Sequence, residues 1–178
     1  MPAPIEASAY ALVRADDRLL HGQVIYGWGA VLEPRGYLIL DDTAAGDPWE
    51  RDAFVAAAPP EVQVEVRSVS SFATALRAHD HPAVAGEPAR EPDWVMLLRD
   101  IGSLMRLVRA GFRPPAGFNL GGLHAGPDTT EYLPYLHLTS LDRQNLLELL
   151  DEGIRLFAQD LPQTRPIEGH TLKHRLRS

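Results

Sequence analysis

Strands alternate with helices along almost the whole chain, which predicts a single-domain α/β fold: an open, mostly parallel sheet with helices on both faces. Three observations carry this reading. Short continuous apolar runs at 10–13, 37–40 and 94–98 have the length and composition of strands buried on both faces. Between such runs lie segments of helical period with recognisable starts and stops, the clearest being Asp100 followed by Ile101, Leu104, Met105 and Val108, closed by Gly111. Finally, 178 residues at 45% hydrophobic and 23% charged suit one substantial core rather than two domains.

The first strand, 10–13, runs into four charges in five positions, Arg14, Asp16, Asp17 and Arg18. His21 follows, and Val24, Ile25, Trp28, Val31 and Leu32 then fall at helical spacing. Gly36 stops that helix and 37–40 is the second strand, ended by Asp41-Asp42. Asp47, Pro48 and Glu50 form a helix start, with an Asp N-cap, proline at the first helical position and glutamate two residues on. That helix is expected to reach about Ala58, before Pro59-Pro60. Val62, Val64 and Val66 alternate with polar residues as a half-buried strand, and Ser70 or Ser71 is placed to cap a helix over 72–78. The stretch 79–92, with three prolines and a glycine, reads as a surface loop. After the strand 94–98 and its helix come a short strand at 117–120, a glycine turn, a strand near 135–138, a helix capped by Ser140 and ending at Gly153, and a last strand at 154–158.

In sheets of this kind ligands bind beyond the carboxyl ends of the strands. Arg14 to His21, Asp41-Asp42, Arg99-Asp100 and Asn119 to Gly122 all follow strands, so the fold is expected to gather them on one edge. A helix start favours negative charge, and here it carries a titratable nucleophile, His21, with arginines nearby. That combination suits a phosphorylated histidine. Arg14 and Arg18 can grip phosphoryl oxygens through their planar forks, and Asp16 or Asp17 can hold the far ring nitrogen or orient an arginine. The alternative on the residues alone is a structural ion-pair cluster of Arg14, Asp16 and Arg18. Gly22 and Gln23 open the helix beside the histidine, and Asn119, Gly121 and Gly122 offer backbone N–H groups as an anion nest or form a simple tight turn. His124 beside that turn reads as a plain surface residue, the alternative being that it approaches the site, and His79-x-His81 reads as part of a solvated loop rather than a zinc pair.

The composition removes other classes. There is no cysteine, so disulfides, thiolate metal sites and cysteine nucleophiles are excluded. A net charge of −7 argues against nucleic acid as a partner. No apolar run approaches a membrane span, and the N-terminal residues lack a basic and an apolar signal region, so a cytoplasmic location is expected. Residues 163–178 depart from the acidic balance, with Arg165, Lys173, Arg175 and Arg177 against Glu168 alone, and read as a basic C-terminal extension of a domain ending at 162.

The run Arg14-Ala15-Asp16-Asp17-Arg18-Leu19-Leu20-His21-Gly22-Gln23-Val24 resembles the R-[IV]-D-D-R-L-I-H-G-Q-V signature of the IIB components in the mannose/fructose/sorbose family of the bacterial sugar phosphotransferase system. Trp28, Leu40-Asp41-Asp42, Ala58-Pro59-Pro60, Gly111, Asn119-Leu120-Gly121-Gly122 and Leu138-Thr139-Ser140 also fall in family order. The resemblance implies an open α/β sheet and a phosphotransferase in which His21 takes a phosphoryl group from a IIA phosphohistidine and gives it to a sugar during uptake. It implies as partners a IIA phosphocarrier, IIC and IID permease proteins and a sugar, with peripheral attachment at the inner membrane through the permease; it requires no cofactor and no metal. The sugar and any homo-oligomer stay open. Ala15 stands where the family has a larger β-branched residue, the 79–92 loop is longer than usual, and the basic tail passes the usual end. Two rivals are a diverged regulator of the same fold that binds a phosphorylated partner or metabolite, and an unrelated α/β enzyme using Asp41-Asp42 and a metal.

Overall fold

The computed structural model describes residues 3–78 and 91–177. The sequence-predicted loop at 79–92, with His79 and His81, lies outside them apart from its last two residues. Among the described residues seven strands form the main sheet in the order β3-β2-β4-β1-β5-β8-β9. They are β1 (Tyr10–Ala15), β2 (Gly36–Leu40), β3 (Gln63–Arg67), β4 (Trp94–Leu98), β5 (Phe118–Leu120), β8 (Leu156–Ala158) and β9 (Ile167–Glu168). All neighbours pair in parallel except β8 with β9. A small antiparallel hairpin, β6 (Thr129–Leu133) and β7 (Leu136–Thr139), stands apart and was expected only in its second strand.

The central strands read as unbroken apolar runs because both their faces are covered. Along β4, Trp94, Met96 and Leu98 point into one core while Val95 and Leu97 point into the other. The larger core takes the buried faces of α4 (Val69–Ala78), α5 (Ile101–Arg109), α6 (Ser140–Asp151) and α7 (Gly169–Arg177). The smaller takes Val24, Ile25 and Trp28 after β1, and Phe54 of α3 (Pro48–Ala57). The strand β1 therefore lies between β4 and β5, whose following segments pass to the opposite face from its own. That divergence opens a crevice at its carboxyl end.

Local chemistry sets the helix starts. Asp47 and Asp100 accept from the backbone N–H groups of Trp49 and Ser103, at 2.9 and 2.6 Å. The cap of α6 is Thr139 rather than Ser140, in a capping box with Asp142. Likewise Ser68, not Ser70 or Ser71, starts α4, accepting from the Ser71 N–H at 3.1 Å. A short helix α2 (Asp42–Gly46), capped by Asp41, precedes α3. After β1 the chain first winds as a π-helix, Gln23–Trp28, before α1 (Gly29–Leu32). The wider turn shifts the phase, so Val31, expected on the buried face, is 59% exposed.

The division expected at 162 is corrected by the fold. Residues beyond it add β9 to the sheet edge and then α7, whose Leu172 and Leu176 are fully buried in the larger core. Their i, i+4 spacing puts both on one face, while Lys173 and Arg177, each next to one of them, meet Asp151 on α6.

Candidate functional site

The loop after β1 is held by bonds to both neighbouring strands. The Asp16 N–H donates to Leu98 O at 2.8 Å and the Gly121 N–H to Ala15 O at 2.8 Å. Asp17 N–H donates to Gly122 O at 2.8 Å, and Gly122 N–H to the Asp16 carboxylate at 3.1 Å. The N–H groups of Gly121 and Gly122, read from sequence as a candidate anion nest, are thus directed inward.

Arg14, the penultimate residue of β1, has its whole side chain buried. Its guanidinium donates to Asp16 Oδ2 from Nε at 3.1 Å and from Nη2 at 2.8 Å. Its Nη1 donates to Asn119 Oδ1 at 2.6 Å and to Gln159 O at 2.9 Å. Asp160 Oδ1 stands 3.7 Å from Nη2, and the ring of Trp28 lies 5.8 Å from Cζ. Burial lowers the pKa of this guanidinium and the Asp16 carboxylate opposes that. Gly121 is needed here for close approach: a Cβ on it would lie 2.1 Å from Arg14 Cζ. Arg14 is therefore brought to the site but points beneath it, joining β1, β5 and β8. Asn119, likewise buried, faces Arg14 and the carbonyls of Phe157 and Gln159.

Arg18 is placed differently. It follows the strand's end, its side chain is 43% exposed, and its Nη2 donates to Gln23 Oε1 at 2.6 Å. Asp16 Oδ1 accepts from the Arg18 backbone N–H at 3.2 Å and lies 3.8 Å from its Nε. His21 stands at the start of the helical segment, its carbonyl taking the first helical bond from Ile25 at 3.0 Å. Its side chain is 16% exposed. Leu19 beside it has φ +54°, uncommon for a leucine, held by a fully buried side chain. This turn brings the Leu19 carbonyl 2.9 Å from His21 Nδ1, with Asp16 Oδ1 at 3.9 Å. His21 Nε2 faces Gln23 Oε1 at 3.4 Å. The structure therefore gathers His21, Arg18, Gln23, Gly22 and Asp16 around one opening, with Arg14 and Asn119 below it.

Two residues that the sequence reading missed, Gln159 and Asp160, complete this architecture, together with the expected Arg99. Gln159 and Asp160 follow β8. Gln159 O accepts from Arg14, its side chain donates to Pro162 O and Thr164 O, and Asp160 O accepts from the Trp28 indole at 3.0 Å. Arg99, after β4, donates to both oxygens of Asp41 at 2.9 and 3.1 Å, to Glu50 at 2.5 Å and to Asp17 O at 3.4 Å. Burial alone would raise the Asp41 carboxyl, but hydrogen bonds from Arg99 and the Ala44 N–H hold it below the ordinary range. Asp42 caps Val69 and meets Arg106. Both carboxylates weighed for a metal are thus bound to helix starts and arginines. Among the described residues no group of three or more metal-ligating side chains gathers, and no helix is long and apolar enough to cross a membrane.

An open, mostly parallel sheet with a part-buried histidine at its carboxyl edge, an exposed arginine beside it and a buried arginine beneath defines a class of α/β domains with a histidine–arginine site at the strand ends. Residues 10–173 match the family model for the sorbose subfamily IIB component of the phosphotransferase system, and the chain belongs to that family. It is 25% identical over 151 residues to the fructose-specific EIIB component of Bacillus subtilis (strain 168), covering 85% of this chain and 87% of that protein. It is 27% identical over 153 residues to the mannose-specific EIIAB component of Escherichia coli (strain K12), covering 86% of this chain and 45% of that protein. The crystal structure of the IIBSor domain of the sorbose permease from Klebsiella pneumoniae superposes with a TM-score of 0.75 at 25% identity, covering 94% of this chain and 96% of that one.

Proposed function

We propose that this chain is a histidine phosphocarrier: His21 receives a phosphoryl group from a phosphohistidine on a IIA partner and passes it to a sugar carried by IIC and IID permease proteins. The observation that carries the reading is the pairing of a part-buried His21 with an Arg18 guanidinium held to the same Gln23 carbonyl oxygen. In the first transfer a neutral ring nitrogen of His21 attacks phosphorus, the donor's N–P bond breaks, and the donor imidazole keeps that electron pair. In the second, a sugar hydroxyl attacks, the His21 N–P bond breaks, and the hydroxyl proton leaves. The transition state is loose with charge on three peripheral oxygens, so positioning and electrostatics supply most of the catalysis. Arg18 faces those oxygens. Arg14, with its fork already bonded, holds Asp16 and through it the loop. The EIIAB name of the Escherichia coli relative, which covers a protein about twice the length of this match, supports a IIA protein as donor.

The test is incubation with a phosphorylated IIA protein of the mannose family. The expected product is an acid-labile, base-stable adduct on His21 alone, lost in His21→Ala and kept in His170→Ala and His174→Ala. Label that persists without His21 overturns the reading.

A further inference from the structure

A second histidine stands across Gly122 from Arg18. His124 follows the glycine turn after β5, and its ring is fixed by Asp17: Nδ1 lies 2.8 Å from Asp17 Oδ1, and its backbone N–H donates to Oδ2 at 2.7 Å. Asp17 is itself tied at both ends, its N–H to Gly122 O and its carbonyl to Arg99. The carboxylate can only accept, so the Nδ1 proton is held there and Nε2 is turned away from Asp17. The side chain is 53% exposed, so its orientation is set by Asp17 rather than by burial.

Its position relative to the histidine site follows from Gly122. A Cβ at that glycine would lie 3.3 Å from His124 Cε1, 3.4 Å from Arg18 Nη2 and 3.3 Å from Asp16 Oδ2. His124 and Arg18 thus stand over one small residue, and Arg18 reaches across to the Gln23 oxygen that faces His21. Gly122 lets the two side chains approach from either side, since a Cβ there would crowd both. We infer that Arg18 and His124 form a seat for the oxygens of the phosphoryl group on His21, with Asp17 as the residue that positions the His124 ring. The inference rests on the phosphocarrier reading and names a binding group in it. His124 binds as the imidazolium, giving Nδ1–H to Asp17 and Nε2–H to a phosphoryl oxygen; no bond to phosphorus is made or broken by it. The charged groups facing the ring are Asp17 in contact and Asp16 and Arg18 across Gly122.

The experiment has two readouts on the full chain. The first is the rate of His21 phosphorylation, with phospho-IIA and separately with potassium phosphoramidate, a donor with no docking surface, for wild type, His124→Gln and Asp17→Asn. His124→Gln is expected to slow both donors roughly ten- to a hundredfold, the range of one charge-assisted hydrogen bond, and Asp17→Asn less. The second is the ¹⁵N NMR spectrum of wild type before and after phosphorylation, in which the His124 Nε2–H signal is expected to shift as it gains a phosphoryl acceptor. An orienting role that is only structural would leave that signal in place. If wild type takes label at His21 while His124→Gln is as fast with both donors, or the signal does not move, the seat is overturned and the phosphocarrier stands. If wild type takes no label at His21, both fall.

Discussion

The two arginines of the first motif have separate duties, and Arg14→Met tests the separation. The substitution keeps most of the side chain's length and removes its charge. Asp16, with none of its side chain exposed, is then left with two lost donors and a buried charge, and Asn119 Oδ1 and Gln159 O lose theirs. Breaking a buried pair from one side costs about 3–5 kcal/mol. For a chain of this size each kcal/mol moves the melting temperature by roughly 2–4 °C, so a fall of about 6–20 °C is expected. Arg18→Met is the contrast. Its link to Asp16 is long, 3.8 Å, and half-exposed, worth at most about 1 kcal/mol, so the melting temperature should fall by no more than roughly 4 °C. Its phosphotransfer, however, should drop sharply, since a donor to developing phosphoryl charge is worth ~2.7–4 kcal/mol by analogy with an oxyanion-hole donor. Thermal unfolding and the rate of His21 labelling, measured on both variants, decide it. An Arg14→Met protein that melts within about 2 °C of wild type yet no longer transfers would refute the division and put Arg14 on the phosphoryl group.

Two further outcomes follow from the fold. Leu172→Ala and Leu176→Ala, each emptying a buried site on α7, should cost about 2–5 kcal/mol apiece by urea denaturation; stability unchanged by both would mean that the C-terminal helix does not hold the domain together. The Asp41 carboxyl, held below its ordinary range by Arg99 and a helix start, gives stability that is complete above about pH 3.9 and is lost as pH falls through its lower folded value. Asp41→Asn, which can still cap α2, should therefore lie below wild type in denaturation midpoint near pH 6 and meet it in strong acid. A constant gap across that range would remove the Arg99 pairing as its cause.

Where a structural choice rested on neighbours in sequence, it was legible in advance. The strand Trp94–Leu98 and the Asp100 cap of α5 are local patterns, an apolar run and an Asx side chain before a helical stripe, and both stand in the structure. The motif histidine likewise lies at the carboxyl edge where strand-end residues were expected to meet. The π-helical turn was not legible, since Val24, Ile25 and Trp28 fit a 3.6 period as well as the wider one and only Val31 tells them apart. The tail was misread because four basic residues outweighed two leucines four apart, although that spacing is itself the signal of a buried face. The glycine turn was ambiguous in principle. Whether Gly121 serves an anion or makes room for a neighbour depends on Arg14, more than a hundred residues away, and on which way that side chain turns. Gln159 and Asp160 carried no local sign; their part follows from the pairing of β5 with β8.

The direction of Arg14 has a topological cause. Its backbone pairs with Asn119, so its side chain leaves β1 beside the first strand after the crevice, and the Gln159 carbonyl arrives one strand further on. Three strands that are remote in sequence thus converge on one guanidinium, and the loop carrying Asp16 is pinned from below. Arg18 lies beyond the last paired residue of β1, where no strand constrains it, and can lean on Gln23 from the open side. A cation under the loop fixes the carboxylate and the turn that present His21; a cation over the loop stays available to an incoming anion. Had both arginines fallen within the strand, both forks would have been spent on the fold. Placing one inside the strand and the other just past it is what lets a single short motif be at once a structural joint and a binding edge.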